Sequence, residues 1–458
     1  MSVKLETIVS FAKRRGFIFQ SADIYGGLSS CYDYGPLGVE FKNNIKNAWK
    51  KEMIQERNDV VGLDSAILSP EIVWEASGHL QGFSDPLVEC KVCHHRFRAD
   101  HLLEAKTAEP GYVKEKPTEL KDIVCPDCSG ELTEPQDFNL MMKTELGVVE
   151  GKKDIAYLRG ETCQGIFLNY KNVLDATRQK VPFGIAQVGK AFRNEITTKH
   201  FIFRMKEFEQ MEMQYFVDPI NAKEHFEYWK KKRMDWYLGL GLKTDNLRFR
   251  QHELDERAHY ALDAWDIEYN TPWSGWEEME GIHNRGDWDL SRHSEYSKTD
   301  LNYHDQVNNK KFTPFVIETS GGADRAALMF LADAYEEVET RSGDDDSKHK
   351  IEVVLRLHKD LAPIKVAILP LSKKEPLQNL ALEIQDKLKG TWMTQYDETG
   401  SIGKRYRRQD EIGTPYCLTV DFDSLEDGKI TVRDRDTMEQ ERVLIVGIKE
   451  YFNNKFNN

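Results

Sequence analysis

The chain has 458 residues, of which 40% are hydrophobic and 31% are charged, and its formal net charge is −14. A length this far beyond what one hydrophobic core fills predicts two to four domains. Apolar runs of about 18 residues are lacking, which argues against a membrane-spanning protein, and the first residues lack a secretory pattern, so we expect a cytoplasmic protein. The negative charge argues against coating nucleic acid through bulk electrostatics, but it allows an enzyme that holds one RNA through local basic patches.

The first predicted element is an amphipathic helix over Pro36–Glu56. Lysines and asparagines alternate there with apolar residues that recur every four positions, namely Leu37, Phe41, Ile45, Trp49 and Met53. This spacing places the apolar side chains on one helical face, which we expect to pack against the core.

Four of the seven cysteines form two Cys-x-x-Cys pairs, Cys90 with Cys93 and Cys125 with Cys128. In a reducing compartment this arrangement indicates metal ligation rather than disulfide bonds. Two such pairs at loop-scale separation are typical of a four-thiolate zinc ribbon, whose closed shell makes the metal structural. Four reduced thiols without a metal are the alternative.

A strand is predicted over Glu207–Val217, where the sequence alternates strictly. One face carries Phe208, Gln210, Glu212, Gln214 and Phe216, and the other carries Met211, Met213 and Tyr215. Amide and carboxylate groups beside an aromatic ring indicate a binding surface. A merely solvated face is the alternative.

A second strand is predicted over Thr313–Ser320, with Glu318 and Ser320 on one face. Gly321 and Gly322 follow, and then a predicted helix from Ala323 to about Glu337. This succession brings a polar strand face close to a helix N-terminus, a common ligand position. The polar segment Arg341–Lys350 is interpreted as a surface loop.

The sequence pattern changes after Leu361, where strand-like and helix-like segments alternate to the end of the chain. They indicate a separate C-terminal α/β domain of about a hundred residues. The predicted segments are strands over 363–371, 417–422, 429–435 and 442–446, and a helix over 381–389.

Three blocks, met in this order, resemble the signature motifs of class II aminoacyl-tRNA synthetases: Tyr32–Trp49, Gly189–Phe216 and Pro314–Arg325. Further blocks are similar to glycyl-tRNA synthetases of the homodimeric type, and they are Tyr157–Tyr170, Ser274–Leu290 and Gly403–Pro415. The resemblance covers nearly the whole chain. It departs at Gly160, where the family usually has proline, and at His283, where it usually has alanine.

The resemblance implies a ligase that activates glycine with ATP, releases pyrophosphate and transfers glycine to the terminal ribose of tRNA(Gly). Arginine suits the phosphates because its planar guanidinium offers paired donors and keeps its charge. By resemblance Arg193 holds the α-phosphate, and Arg204 and Arg325 lie nearer the β- and γ-phosphates. The remaining implied ATP contacts are Glu195 to the adenine amino group, Phe208 by stacking, and Glu278. Magnesium is expected on the phosphates, with Glu318 or Glu280 as its partner.

For glycine, the resemblance implies carboxylates around the ammonium group and an arginine near the carboxylate. The implied residues are Glu161, Glu212, Glu318, Ser320 and, near the carboxylate, Arg285. The strand alternation supports this independently, because Glu212 shares a face with Phe208, and Glu318 shares one with Ser320. Three carboxylates around one cation should strain the empty pocket electrostatically.

The fold class implied is α+β and multidomain. It consists of an antiparallel class II catalytic sheet flanked by helices (1–88 and 150–360), a zinc-ribbon insertion (89–149) and a C-terminal α/β anticodon-binding domain (361–458). The resemblance implies a homodimer, whose interface contains the first motif. The ribbon is either near the tRNA acceptor end or a stability module with a solvated basic face.

Anticodon bases are read by stacking and by hydrogen bonds to their exposed edges. The cluster Lys404–Arg408 interleaves cations with an aromatic ring, as such contact requires. The predicted anticodon residues are Lys404, Arg405, Arg407, Arg408, Asp410, Glu411 and Arg433. A charged surface loop is the alternative.

Other families remain as alternatives. Prolyl, histidyl and threonyl enzymes differ from the glycyl pattern in the blocks around Glu161 and Arg285. A non-catalytic relative, such as the accessory subunit of mitochondrial DNA polymerase, loses the phosphate arginines, whereas Arg193 and Arg325 are present here. A zinc-ribbon nucleic-acid-binding factor would explain residues 90–128 only.

Overall fold

The computed structural model describes residues 3–107, 120–147, 154–195, 201–258, 260–339 and 351–457. The predicted loop Arg341–Lys350 lies entirely outside these residues. Within the described ranges, no helix combines the length and the apolar character that a membrane span requires.

The α-helices of the described residues differ widely in length, from one turn to five. They are α1 (Leu5–Arg15), α2 (Pro36–Lys50), α3 (Glu71–Ala76), α4 (His79–Gly82), α5 (Ala99–Thr107), α6 (Cys163–Thr177), α7 (Ala222–Gly239), α8 (Trp288–Ser297), α9 (Ala323–Ala334), α10 (Glu375–Leu388), α11 (Ile402–Glu411), α12 (Asp423–Asp427) and α13 (Ile448–Asn457).

The strands are β1 (Ile18–Gln20), β2 (Tyr32–Tyr34), β3 (Val60–Gly62), β4 (Leu68–Pro70), β5 (Ser84–Glu89), β6 (Arg96–Arg98), β7 (Gln136–Asn139), β8 (Met142–Leu146), β9 (Asp154–Leu158), β10 (Phe183–Phe192), β11 (Glu207–Val217), β12 (Leu247–Gln251), β13 (Asp263–Thr271), β14 (Gly275–Gly286), β15 (Tyr303–Asp305), β16 (Lys310–Phe312), β17 (Phe315–Gly322), β18 (Tyr335–Glu339), β19 (Ile351–Leu355), β20 (Val366–Pro370), β21 (Thr394–Tyr396), β22 (Tyr416–Val420), β23 (Lys429–Asp434) and β24 (Gln440–Leu444).

A seven-stranded sheet in the order β12-β13-β14-β17-β11-β10-β3 forms the centre of the larger part of the molecule. Its pairs are antiparallel except β10 with β3, which run parallel. One face packs on α2, α7 and α9 in the largest apolar core. The predicted antiparallel catalytic sheet is therefore confirmed.

The strand β11 has the predicted bounds and lies between β10 and β17. Glu212 stands opposite Ser320, and Gln214 stands opposite Glu318, so the polar face continues across both strands. The strand β17 runs two residues further than predicted, because Gly321 pairs with Met211 and the next glycine with Gln210. The two glycines thus belong to the strand rather than to a turn.

The helix after β17 is shorter than predicted. It ends at Ala334 instead of reaching about Glu337, because Tyr335 takes an extended conformation and opens the strand β18. That strand pairs with β19, and after the buried Tyr335 it alternates between half-buried and exposed residues. The cross-strand pairing overrides the helical reading of its glutamates.

The predicted amphipathic helix is α2, continued by a π-helical turn over Lys51–Gln55. Proline at its first position favours the helical start. The side chains of Phe41, Ile45 and Trp49 are fully buried, as the four-residue spacing predicts. A Cβ at Gly38 would lie 1.8 Å from the Phe17 carbonyl oxygen, so only glycine allows this close approach.

A small three-stranded sheet, β6-β5-β7, carries the cysteine pairs at one end. The C-terminal part is a five-stranded sheet in the order β21-β20-β22-β23-β24, parallel over its first three strands and antiparallel beyond them. This part has its own apolar core, formed with α10 and α13. The predicted C-terminal α/β domain is therefore present.

Candidate active site

A cavity on the open face of the large sheet brings together the predicted ATP and amino-acid residues, with the exception of Arg285. The predicted residues that line it are Glu161, Arg193, Glu195, Arg204, Phe208, Glu212, Glu278, Glu318, Ser320 and Arg325. They come from β11, β14 and β17, from the loops next to β9 and β10, and from the start of α9. A polar strand face and a helix N-terminus meet here as the sequence predicts.

Three arginines form the cationic part of the cavity. Arg193 donates from Nε to the Gly160 carbonyl oxygen at 3.0 Å, and its guanidinium lies 5.3 Å from the centre of the Phe208 ring. Arg325 forms an ion pair with Glu278 at 3.0 Å. Arg204 lies 3.8 Å from Glu195. Arg325 also donates to the backbone carbonyl oxygens of Phe203 and Glu278, both at 3.3 Å, so Arg193 and Arg325 are each fixed by more than one contact at the wall of the cavity.

Glu195 is buried, and its Oε2 has no hydrogen-bond partner among the described residues. An acceptor that is buried without a donor carries a free-energy cost. A ligand that presents an amino group would supply the missing donor. Phe208 lines the same cavity with its ring against Arg193.

Three carboxylates converge in the other part of the cavity, and each is held by donors from the protein. Glu161 accepts from the Cys163 thiol at 2.7 Å and lies 3.2 Å from His79 Nε2. Glu212 accepts from the Thr162 hydroxyl and from Gln214. The third carboxylate, Glu318, accepts from Gln214 at 2.6 Å, from Arg285 at 2.9 Å and from His283 at 2.8 Å.

The surroundings of the three carboxyls lower two of their pKa values and raise the third. Burial alone would raise the pKa of Glu161, but His79 and Arg285 hold it well below its ordinary value. Burial likewise acts on Glu318, and there Arg285 and His283 lower the pKa. Burial and the charges of the other two carboxylates raise the pKa of Glu212 well above its ordinary value. The pocket therefore has the electrostatic strain expected of it, concentrated on Glu212.

Arg285 is buried behind Glu318 rather than lining the cavity. It donates two hydrogen bonds to Asp289, at 2.7 and 2.9 Å, and one to Glu318. Its guanidinium also lies 3.7 Å from the centre of the Tyr260 ring. The structure thus places Arg285 where it fixes Glu318, and its predicted contact with a ligand carboxylate stays a prediction.

The expectation that Glu280 is a partner for magnesium is wrong. Its carboxylate is fully buried on the opposite face of the sheet and accepts from Arg233 at 2.6 Å and from Tyr237 at 2.7 Å. The cause is a β-bulge at Met279, since Ile267 pairs with Glu280 while the next residue of β13 pairs with Glu278. The extra residue turns Glu278 toward the cavity and Glu280 away from it.

The two departures from the family both adjoin the cavity. The carbonyl of Gly160 accepts the bond from Arg193, and a Cβ at this position would lie 3.0 Å from Met141 Sδ. His283 lines the cavity beside Glu318. A nitrogen of His283, a nitrogen of His252 and a carboxylate oxygen of Asp266 lie within 4.8 Å of one another.

Several residues of the site carry no prediction from the sequence: His79, Thr162, Tyr260 and Asp289. Gln214, by contrast, lies on the strand face that the alternation predicts as a binding surface, and it donates to both Glu212 and Glu318. Asp289 lies in the first turn of α8 and Arg285 at the end of β14, so their ion pair crosses a turn that no periodic pattern predicts. His79 lies far from Glu161 in the sequence, and no local pattern joins the two.

The four predicted metal ligands, Cys90, Cys93, Cys125 and Cys128, form one cluster. Two of their sulfur–sulfur distances are 3.4 Å, for Cys90 with Cys128, and 3.7 Å, for Cys93 with Cys125. Four thiolates about 2.3 Å from a tetrahedral zinc ion stand at comparable separations. The donor set and its spacing therefore fit zinc.

The predicted anticodon residues are only partly at the surface. Arg405 is 2% exposed and donates to the carbonyl oxygens of Pro370, Leu371 and Asp397. Arg433, 4% exposed, forms a two-bond ion pair with Asp410, which is 3% exposed. The expectation that these three side chains reach RNA is wrong, because they are buried structural donors and acceptors.

The other anticodon residues keep some exposure. Lys404 is exposed. Arg407 pairs with Glu352, and Arg408 pairs with Asp397. Glu411 pairs with Arg15 of α1 at 2.5 Å. The basic cluster therefore presents one face to solvent and uses the other to hold the domain together.

Comparison with solved structures shows the fold. Prolyl-tRNA synthetase of Giardia lamblia in complex with prolyl-adenylate superposes with a TM-score of 0.65 at 15% identity, covering 98% of this chain and 76% of that one. Prolyl-tRNA synthetase of Cryptosporidium parvum complexed with halofuginone and AMPPNP gives 0.63 at 13% identity, with 99% and 77% covered. The chain thus has the fold of class II aminoacyl-tRNA synthetases.

Sequence comparison shows the family. A family model described as an anticodon binding domain matches residues 365–455. Glycine–tRNA ligase of Treponema denticola is 54% identical over 96% of this chain and 94% of its own length. The corresponding ligases of Acetivibrio thermocellus (52% identical, 100% of both chains) and Thermobifida fusca (51%, 98% and 97%) are similar. The chain belongs to the glycine–tRNA ligase family and is an aminoacyl-tRNA synthetase, a ligase.

Proposed function

We propose that the cavity binds ATP at its arginines and glycine at its carboxylates. The enzyme then joins the glycine carboxylate to the α-phosphorus, releases pyrophosphate, and transfers glycine to the 3′-terminal ribose of tRNA(Gly). One observation carries the proposal: a single cavity has Arg193, Arg204 and Arg325 in one part and three converging carboxylates in the other. An anionic nucleotide and a small ammonium compound complement these two parts.

The arginines stabilise the charge that builds on the phosphate oxygens during adenylate formation. Fixed cations contribute more than mobile ones because they need no reorganisation as the charge develops. Arg193 is fixed by the Gly160 carbonyl and the Phe208 ring, and Arg325 by Glu278. Glu195 Oε2, which accepts no hydrogen bond from the described residues, is suited to accept from the adenine amino group, with Phe208 available for stacking.

Magnesium would bridge the phosphates and neutralise part of their charge. Glu278 is the carboxylate that fits this role, since it lines the cavity beside Arg325 and presents the oxygen ligand that a hard cation prefers. Glu318 already accepts hydrogen bonds from three donors of the protein. We therefore assign it to the glycine ammonium group rather than to magnesium.

Glycine is selected by its ammonium group and by its lack of a side chain. Glu161, Glu212 and Glu318 surround the space for a cation, and Ser320 lies beside Gln210 at its edge. An added methyl group would overpack a pocket filled to the α-carbon, at a cost of about 1–3 kcal/mol. For transfer to tRNA, positioning of the ribose next to the adenylate supplies the rate enhancement, with no dedicated base.

The proposed organisation divides the chain into catalytic segments at 1–88 and 150–360, a ribbon at 89–149 and an anticodon domain at 361–458. The cysteine cluster would hold a structural zinc ion. The anticodon loop of tRNA would contact the C-terminal domain at the predicted residues that keep some exposure, namely Lys404, Arg407, Arg408 and Glu411. Because the enzyme charges tRNA for translation, we propose that it acts in the cytoplasm.

The enzyme is also proposed to be a homodimer. Large apolar side chains are exposed in the loop between β1 and β2, which leads into α2, with Ile24 88% and Tyr25 87% exposed. Leu28 and, on α2, Val39 are exposed as well. Contiguous exposed apolar groups indicate a protein interface, and a second copy would cover them. Analytical ultracentrifugation of Tyr25→Asp tests this, because a charge at the interface should shift the dimer toward the monomer.

Amino-acid-dependent exchange of pyrophosphate into ATP, measured without tRNA, tests the activation step. Glycine should support exchange, whereas alanine, serine, proline, histidine and threonine should not. Arg193→Ala should lower the rate by about a hundredfold or more, and Arg442→Ala, on the C-terminal sheet, should leave it unchanged. Exchange with a different amino acid, or none at all in the folded protein, would contradict the proposal.

A further inference from the structure

His283 stands between the amino-acid pocket and a second group of titratable side chains. Its Nδ1 lies 2.8 Å from Glu318 Oε1, and Glu318 uses its other oxygen for Arg285 and Gln214. His283 therefore holds the Oε1 side of this carboxylate. Replacing His283 with alanine would remove this donor.

On the other side of the His283 ring lie Asp266, on β13, and His252, which directly follows β12. A Cβ built on Gly281 would lie 3.2 Å from His283 Nε2 and 3.7 Å from Asp266 Oδ1, so these two atoms face the same small space. Asp266, on β13, also accepts from His252 Nε2 at 2.7 Å. Histidines and carboxylates thus alternate in space. His252 bonds to Asp266, Asp266 lies within 4.8 Å of His283, and His283 bonds to Glu318.

We propose that His283 is a positioning residue for Glu318, and that its charge state sets the affinity of the enzyme for glycine. The inference rests on the proposed function, because it takes Glu318 as a carboxylate that meets the glycine ammonium group. Neutral His283 still donates from Nδ1 and holds Glu318 in place. Protonated His283 also holds it, through a charge-assisted hydrogen bond, but adds a positive charge beside the site of the ammonium group.

The charges around His283 determine the direction of the effect. Glu318 on β17, Asp266 on β13 and Glu278 on its own strand are acidic, whereas Arg285 is cationic, and His252 and Tyr260 complete its surroundings. Burial favours neutral His283, but its bond to Glu318 outweighs burial and holds the pKa above the ordinary value. Burial and Glu278 raise the pKa of Asp266 to about 6.

The sign follows from these directions. Below the raised pKa, His283 is charged and offsets part of the negative potential that attracts an ammonium group. As pH rises through that pKa the charge is lost while the hydrogen bond remains, so glycine binds more tightly. Asp266 and Glu212 lose protons in the same direction, and a variant that cannot titrate at position 283 is needed to isolate the histidine.

The test compares glycine KM in the exchange assay at about pH 6 and about pH 8 for the unaltered enzyme, His283→Asn and His283→Ala. Asparagine keeps a neutral donor near the position of Nδ1, and alanine removes the donor. His304→Asn, an exposed histidine on the β15–β16 hairpin, is the matched control. The kcat and the KM for ATP are measured alongside, and circular dichroism checks that each variant folds.

The unaltered enzyme and His283→Asn should have similar glycine KM at the higher pH. At the lower pH the KM of His283→Asn should be about fivefold lower, as expected for removing one nearby screened charge. His283→Ala should raise glycine KM about fivefold at the higher pH, through loss of one hydrogen bond, with kcat and the KM for ATP unchanged.

Two results would overturn the inference alone. One is a His283→Asn enzyme whose glycine KM keeps the unaltered pH dependence. The other is a folded His283→Ala enzyme with unaltered glycine KM at the higher pH. Absence of glycine-dependent exchange in the unaltered enzyme would instead overturn the proposed function, and the inference with it. If His283→Ala does not fold, the asparagine comparison still decides.

Discussion

At the scale of single residues, Glu278 and Glu280 show how one inserted residue separates two roles. Both belong to β14 and would share a face in a regular strand. The bulge at Met279 gives Glu278 to the cavity and Glu280 to a buried cluster with Arg233 and Tyr237. Arg233 is itself fully buried and also pairs with Glu52. We therefore expect substitution of Glu280 to change stability and substitution of Glu278 to change the rate of exchange.

Glu280→Gln should lower the free energy of unfolding by about 3 kcal/mol, because it leaves the buried Arg233 guanidinium with less compensation. The glycine KM and the exchange rate should change little at temperatures where the variant is folded. Urea unfolding, followed by tryptophan fluorescence, measures the first quantity, and the exchange assay measures the second.

Glu278→Gln is the matched comparison and should do the reverse. Its carboxylate is partly exposed at the cavity and pairs with Arg325. Stability should be nearly unchanged, since surface ion pairs contribute less than about 1 kcal/mol, while exchange should slow. A Glu280→Gln enzyme with normal stability and impaired exchange would contradict the assignment of the two faces.

The polar face of β11 was predictable because its signal is local. The alternation from Phe208 to Phe216 fixes which side chains share a face, and Glu212 lies there as expected. The bulge at Met279 has no such signal, since it arises from pairing with β13. Arg405 was misassigned for a related reason: the carbonyl oxygens at the end of β20 need a buried donor, and only the fold shows which cation supplies it.

At the scale of elements, the sheet β6-β5-β7 contacts the active site at its base, the end where β5 begins and β7 ends. Phe83, just before β5, lies 5.0 Å from the Arg193 guanidinium. Leu140, just after β7, accepts from the Asn194 backbone amide at 2.8 Å. The pairing of β5 with β7 thus holds two segments against the residues next to Arg193.

This connection predicts that loss of the metal reaches the active site. Cys125→Ser should remove bound zinc, and exchange should fall about tenfold or more because small displacements of a positioned group slow the reaction strongly. Zinc content by atomic emission, limited proteolysis and the exchange assay test the three parts. Cys31→Ser, outside the cluster, is the control. Normal exchange in a zinc-free protein would show that the base of the sheet holds its shape without the metal.

The element bounds show where sequence patterns reach their limit. The strand β11 was predicted to the residue, because both its ends coincide with the ends of the alternation. The helix α9 was predicted about one turn too long, because the glutamates after Ala334 suit a helix locally and only the pairing with β19 makes them a strand. Local patterns define elements well until a distant strand competes for the same residues.

At the scale of the whole molecule, the C-terminal domain is held to the rest by polar contacts. Asn44 of α2 donates to the carbonyl oxygens of Leu361 and Ala362. Arg15 pairs with Glu411, and Arg356 pairs with Asp436 at 3.0 Å. The cavity lies entirely in other parts of the chain, between Glu161 and Arg325. Activation of glycine and binding of the anticodon are therefore expected to be separable by mutation.

Charge reversal on the exposed part of the basic cluster tests this separation. The double variant Lys404→Glu and Arg408→Glu should raise the KM for tRNA in aminoacylation about tenfold or more, and it should weaken the salt dependence of that KM, because favourable contacts with phosphates are lost. Glycine-dependent exchange without tRNA should stay at the unaltered rate, since neither residue lies near the cavity.

Lys389→Glu, a control that reverses one exposed charge on the same domain just after α10, should leave the KM for tRNA unaltered. If the double variant also loses exchange, the two halves of the molecule are coupled through the Arg15–Glu411 and Arg356–Asp436 contacts. If it keeps the unaltered KM for tRNA, the anticodon loop binds elsewhere on the domain. Because Arg405, Asp410 and Arg433 are buried, only the exposed cations can distinguish these outcomes without unfolding the domain.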